Sequence, residues 1–164
     1  MIILGIDPGT ATSGYGIIEK KSSLVCLEYG LIKTEKTLSD AKRLKKIDEE
    51  LEKIFKSHSP DVLAVEKIYF SKNVKTAMTV SQVKGIVMLK AAKNEIPVYE
   101  FTPSQIKATV AGHGKAKKMQ VQKMIKAELN LKERPRPNDV ADALGAAICG
   151  AQKIKRDSIT SSES

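Results

Sequence analysis

The alternation of apolar and polar positions opens on a short hydrophobic run, IILGID (residues 2–7), that breaks at Asp-Pro-Gly. Two further stretches follow, GYGIIEK and LVCLEYGLIKT, each rich in β-branched and aromatic residues. Such runs, separated by tight turns, predict three sequential strands. From Ser39 to Phe55 the apolar residues Leu44, Ile47, Leu51, Ile54 and Phe55 recur at helical spacing, with Thr37 and Asp40 placed as a capping-box start. That stretch predicts an amphipathic helix. After Pro60, DVLAVE (residues 61–66) reads as a buried strand, residues 74–93 as a second helix and residues 96–101 as a further strand. The second helix has two apolar stripes. Val80, Val83, Val87 and Ala91 form one, and Val74, Ala77, Met78, Met88, Leu89 and Ala92 the other, so one core would cover a single face and leave the second for a partner.

Thr102, Pro103 and Gln105 combine an N-cap, a proline at the first helical position and a capping partner, which starts a short helix that stops before Gly112. A basic loop, GHGKAKK, leads into a helix carrying Val121, Met124, Ile125 and Leu129 on one side, and LKERPRPN ends it because its two prolines impose an extended break. Asn138 is placed to cap a last helix, DVADALGAAICGAQKI. The polar, serine-rich residues after it predict a disordered tail, residues 153–164, behind a single domain of residues 1–152. Strands first and helices interleaved afterwards predict an α/β fold, a mixed sheet covered by helices on both faces.

Charge narrows the partner. The chain has 164 residues and a formal charge of +9, from 28 Lys and Arg against 19 Asp and Glu. That excess favours a polyanion, with nucleic acid first, over an acidic protein or a small neutral substrate, although a basic enzyme of another kind has the same composition. Cys26 and Cys149 lie far apart in apolar surroundings and match no metal-ligand or redox spacing, so both read as small buried residues. The run MIILGI lacks a basic leader and is too short for a signal peptide or a membrane span, and a cytoplasmic, reducing location is the expectation.

The candidate chemistry lies in the acids. Asp7 ends the first strand and Glu66 the fourth, so if those strands are parallel neighbours both carboxylates project at one sheet edge. Asp139 and Asp142 are three residues apart on a helix, hence on one face, where like charges repel unless a cation intervenes. Singly, each acid has an ordinary explanation: a turn, a sheet edge, a favourable charge at a helix N-terminus, a surface residue. Jointly, four acids on converging elements suit two divalent cations about 4 Å apart that polarise a phosphate and generate hydroxide from water. Oxygen donors without a His or Cys cluster favour Mg2+ or Mn2+ over zinc. In the basic loop, glycines allow close backbone approach while Lys115, Lys117 and Lys118 supply charge suited to tracking phosphates, although an exposed flexible loop has the same composition. His113 in that loop and His58 near a helix end are poor candidates for catalysis.

The strings GIDPGTATSGYGII, VEKIYFSKN, SQIKATVAGHGKAKKMQVQKMI and NDVADALGAAI, in that order, closely resemble the RuvC family of Holliday junction resolvases over residues 1–150. The resemblance implies a ribonuclease H-like fold, a homodimer, two magnesium ions and symmetric cutting of four-way DNA junctions. It carries the family's catalytic acids onto Asp7, Glu66, Asp139 and Asp142. The basic residues near the scissile phosphate fall on Lys107 and Lys118. The aromatic wedge after the strand glutamate falls on Tyr69, with Phe70 beside it and Lys72 following as a further DNA contact. The partners it implies are junction-recognition and branch-migration proteins of the RuvA and RuvB type.

Three rival readings are weighed against this one. An actin-like ATPase or sugar kinase also reads Asp-x-Gly-Thr after a first strand, but needs two related domains and a second phosphate hairpin, for which this chain is too short. A junction-binding protein without catalysis would not need intact acids. A nuclease acting on RNA–DNA hybrids shares the fold logic, but the terminal Asp-x-x-Asp helix and the basic loop resemble resolvases more closely.

Overall fold

The computed structural model describes residues 1–68 and 74–160. Strands β1 (Ile2–Asp7), β2 (Thr12–Lys20) and β3 (Leu24–Lys33) form an antiparallel meander, as the three apolar runs predict. The chain continues through α1 (Asp40–His58), β4 (Val62–Glu66), α2 (Val74–Lys93), β5 (Val98–Phe101), α3 (Pro103–Ala111), α4 (Lys118–Glu128) and α5 (Asn138–Thr160). The sheet order is β3-β2-β1-β4-β5, with β4 parallel to β1 and β5 parallel to β4, so the sheet is mixed.

Strand periodicity sorts the core into two layers. On β1, Ile3 packs into the layer built on α5 while Leu4 and Ile6 enter the layer built on α1 and α2; on β4, Val62 and Ala64 take the first side, Leu63 and Val65 the second. Alternation therefore turns Asp7 and Glu66, next in each series, toward α5. Each fully buried Leu or Ile in these layers contributes about 1.5–3 kcal/mol.

Helix α5 lies unusually close to the sheet because the facing residues are small. A Cβ added to Gly5 would overlap the Ala143 carbonyl oxygen, and one added to Gly14 would overlap the Asp139 carbonyl and approach Val140 N to 2.9 Å. On the opposite layer, Lys90 of α2 reaches Asp48 and Glu52 of α1 at 2.8 Å each, tying the two helices together.

Several local expectations need correction. The capping box of Thr37 and Asp40 does not form: α1 begins at Asp40 with Ser39 at the N-cap position and no side-chain cap hydrogen bond, and it runs on to His58 before Ser59 turns into the left-handed region. By contrast, Thr102 and Gln105 make the predicted reciprocal box, with Gln105 N donating to Thr102 Oγ1 at 3.0 Å and Thr102 N to Gln105 Oε1 at 2.8 Å. Helix α5 continues to Thr160, past the point where composition predicts a disordered tail, because no proline or glycine interrupts it after Gly150. Ala77 is buried with Val83, Val87 and Ala91 instead of joining the second stripe of α2, whereas Met78, Met88 and Leu89 are exposed. Cys149 is buried, but Cys26 is only half-buried; burial pushes both thiols up to about 11.

Candidate metal centre and nucleic-acid interface

The β1–β2 turn that carries Asp7 is fastened from within. Ser13, 1% exposed, donates its hydroxyl to Gly9 O at 2.6 Å and accepts from Gly9 N at 3.1 Å. Thr34 donates to Thr10 O, and Arg43 Nε donates to Thr34 Oγ1 at 2.9 Å, so β3 and α1 brace the same turn. Nothing in the periodicity marked Ser13, because a lone buried serine carries no spacing signal. On the next strand, register pairs Ile6 with Val65, which places Asp7 and Glu66 side by side at the carboxyl ends of parallel neighbours.

Helix α5 brings the third acid. One carboxylate oxygen each from Asp7, Glu66 and Asp142 lies within 4.8 Å of the others, and all three residues are half-buried. Asp139, one helical turn before Asp142, stands outside this closest trio but is near enough for its charge to act on both Asp7 and Asp142. Burial, followed by repulsion from Glu66, Asp142 and Asp139, pushes the Asp7 carboxyl up to about 8. Glu66 is raised to about 7, chiefly by burial and then by Asp142, against the opposing pull of a hydrogen bond with Asp7 and of Lys118 and Lys107. Burial also raises Asp142, with Lys118 opposing the shift and Asp139 adding to it.

Carboxylate oxygens alone, crowded together and screened from water, form a donor set that fits a hard divalent cation. A cation would remove the repulsion that otherwise forces protons onto the cluster. The bland explanations for single acids do not account for three of them converging from three elements.

Lys107 of α3 and Lys118 at the start of α4 face the acids across a pocket of about 170 Å³, lined also by Glu66, Asp142, Gln122 and Asn138. Gln122 Nε2 donates to Asn138 Oδ1 at 3.1 Å, which joins α4 to the start of α5 at the pocket rim. Sequence reasoning placed Asn138 only as a cap and missed Gln122; its position one helical turn after Lys118 was the available signal. Lys115 and Lys117 are exposed on the loop before α4, while Ala116 between them is buried and anchors it. Tyr69, Phe70 and Lys72 lie outside the described residues. His58 pairs with Glu28 at 2.9 Å and Tyr15 donates to the same carboxylate at 2.7 Å, so His58 serves the join of α1 to β2 and β3. His113 is not among the residues lining the acidic pocket.

The family model described as crossover junction endodeoxyribonuclease RuvC matches residues 3–150. A protein of Halothermothrix orenii named crossover junction endodeoxyribonuclease RuvC is 48% identical over 150 residues, covering 91% of each chain. The solved structure of Thermus thermophilus RuvC superposes with a TM-score of 0.87 at 32% identity, covering 96% of this chain and 97% of that one. The same T. thermophilus protein in complex with Holliday junction substrate also gives 0.87, at 28% identity over 95% of this chain and 96% of that one.

Proposed function

Because the chain belongs to the RuvC family of crossover junction endodeoxyribonucleases, with its mixed ribonuclease H-like sheet, we propose that it resolves four-way DNA junctions through the acidic cluster at Asp7. It is a nuclease of recombination and repair, and the observation that carries the reading is the convergence of Asp7, Glu66 and Asp142 within 4.8 Å opposite two lysines. The actin-like and non-catalytic alternatives lose their footing, since neither accounts for both the family match and the crowded acids.

Asp7, Glu66 and Asp142 would hold divalent cations, with Asp139 completing the set; Mg2+ is the proposed metal, two per site, with Mn2+ able to substitute. When bound, such ions polarise the scissile phosphate and activate water. The chain's own residues do the rest. Lys107 and Lys118 bind phosphate oxygens and offset the negative charge that develops there, as fixed cations do in phosphoryl transfer. Gln122 and Asn138 keep α4 and α5 at the spacing that the pocket requires. Lys72, Lys115 and Lys117 track the DNA backbone, and Tyr69 with Phe70 stacks on bases at the crossover.

A four-way junction has approximate two-fold symmetry and needs two matched cuts, so a homodimer is the proposed working unit. Met78, Met88 and Leu89, exposed on α2 while Val83, Val87 and Ala91 are buried, are the surface on which a second copy would pack. Residues 1–152 are proposed as the nuclease domain and residues 153–164 as a polar tail. Proteins of the RuvA and RuvB type are the proposed partners at the junction. Among the described residues no helix is long and apolar enough to cross a membrane, and the proposed location is the cytoplasm.

Cleavage of a four-way junction, a linear duplex and an RNA–DNA hybrid by the same protein tests this reading. Paired nicks in opposed strands of the junction alone are expected; equal cutting of all three substrates would refute junction specificity.

A further inference from the structure

The connection between α4 and α5 carries a second basic surface that the acidic site leaves unused. Lys126, Lys132, Arg134 and Arg136 line a concavity of about 320 Å³ in which Glu133 is the one carboxylate. None of the four cations takes part in an ion pair among the described residues. Lys126 alone would be accounted for by the negative end of its helix. The other three are not.

The loop is held firmly enough to present them. Leu131 N donates to Lys126 O at 2.9 Å, Asn130 occupies the left-handed region at φ 49°, Leu129 and Pro135 are buried, and Leu131 packs on the α5-side core. Apolar residues therefore anchor the segment, while Lys132 and Arg136 stay exposed.

Helix α4 links this surface to the acidic pocket. Lys118, Gln122 and Lys126 fall at i, i+4 and i+8, on one face of α4; the first two line the acidic pocket and the third lines the basic concavity. A rise of 1.5 Å per residue sets Lys126 about 12 Å from Lys118 along the helix. That is the length of a few phosphates along a duplex strand, whose charges recur about every 3.4 Å of helix axis. Arg136, from the other side, stands two residues before Asn138 at the pocket rim.

We propose that Lys126, Lys132, Arg134 and Arg136 form an auxiliary phosphate-binding site that grips the DNA arm leading away from the cleavage point. The proposal rests on the DNA-cleaving reading above and extends it to a surface outside the reacting centre. Phosphates a few steps from the cut settle on the cluster and fix the direction in which that arm leaves.

The test is the triple variant Lys132→Ala, Arg134→Ala, Arg136→Ala, with Lys126→Gln as a milder second variant, each verified as folded by circular dichroism. Junction affinity at 100 mM salt should fall about tenfold in the triple variant. The slope of log affinity against log salt should become shallower by about 2–3, at about 0.9 per lost phosphate contact. Nicking at saturating protein in a single turnover should stay within about twofold of the parent. Replacing the phosphates a few steps from the cut by uncharged methylphosphonates in an otherwise intact junction should weaken the parent to the level of the variant and leave the variant unchanged. Replacing Arg134 and Arg136 by Lys should retain the parental slope. A parental slope and affinity in the triple variant, or equal losses on methylphosphonate substitution in parent and variant, would overturn the proposal. A parent that binds with the steep slope yet cuts no junction would sink the resolvase reading and leave this site standing.

Discussion

Replacing Asp7 by Asn should abolish cleavage and, in the absence of divalent ions, make the folded protein more stable. The carboxyl is raised from 3.8 to about 8, by burial first and by Glu66, Asp142 and Asp139 next. Its pKa is higher folded than unfolded, so between about pH 4 and pH 8 the folded state binds more protons, and stability falls as pH rises through that window. Glu66, raised from 4.5 to about 7, acts in the same direction. At about 1.4 kcal/mol per unit, the part of the shift expressed at pH 7.5, from 3.8 up to that pH, sets a ceiling of about 5 kcal/mol. Asp7 and Glu66 share a hydrogen bond, and an asparagine pays its own desolvation, so the expected gain is about 2–3 kcal/mol. Urea unfolding in a chelator, at pH 7.5 and at pH 5, measures it, and the gain should shrink at the lower pH. Mg2+ should stabilise the parent more at pH 8 than at pH 6, because the cation displaces protons from the cluster, and should stabilise the Asn variant far less. Junction binding should persist in that variant, since the basic surface is untouched. A variant no more stable than the parent at pH 7.5 in chelator, with parental cleavage on adding Mg2+, would refute the electrostatic account and the metal site together.

Three further outcomes are expected. Lys107→Ala and Lys118→Ala should each lower the single-turnover cleavage rate, roughly tenfold or more, with a smaller loss of binding, because they act on charge that develops at the phosphate; rates equal to the parent would remove them from the mechanism. Gly14→Ala should cost roughly 1–3 kcal/mol in thermal or urea unfolding and reduce cleavage as well, since the added Cβ meets the Asp139 carbonyl and forces the start of α5 away from β2; an unaltered rate would show that Asp139 need not be held there. Charged residues at Met78 and Leu89 should yield folded monomers that nick without pairing their cuts, and sedimentation of the unmodified protein as a monomer at micromolar concentration, with junction bound, would contradict the dimer.

Local signals along the chain determined the elements. Alternation in the first three runs, helical spacing from Leu44 to Phe55 and the Thr102-Pro103-Gln105 start depend on residues a few positions apart, so they are readable without the fold. They also put Asp7 and Glu66 at strand ends and Asp139 with Asp142 on one helix face. The start of α1 was misread because Thr37 and Asp40 satisfy the capping spacing in sequence but do not make the hydrogen bonds, whereas the box of Thr102 and Gln105 does. What only the tertiary structure decided depends on distance between elements. The parallel pairing of β1 with β4 makes neighbours of Asp7 and Glu66, and the close seat of α5 over Gly5 and Gly14 brings Asp142 to them while leaving Asp139 a turn away. Ser13, Gln122, the burial of Ala77 and the half-exposure of Cys26 were equally out of reach, because each is fixed by a contact across the fold and none by periodicity. The raised acids have the same origin: a carboxylate has an ordinary affinity for protons until packing strips its water and sets three others beside it.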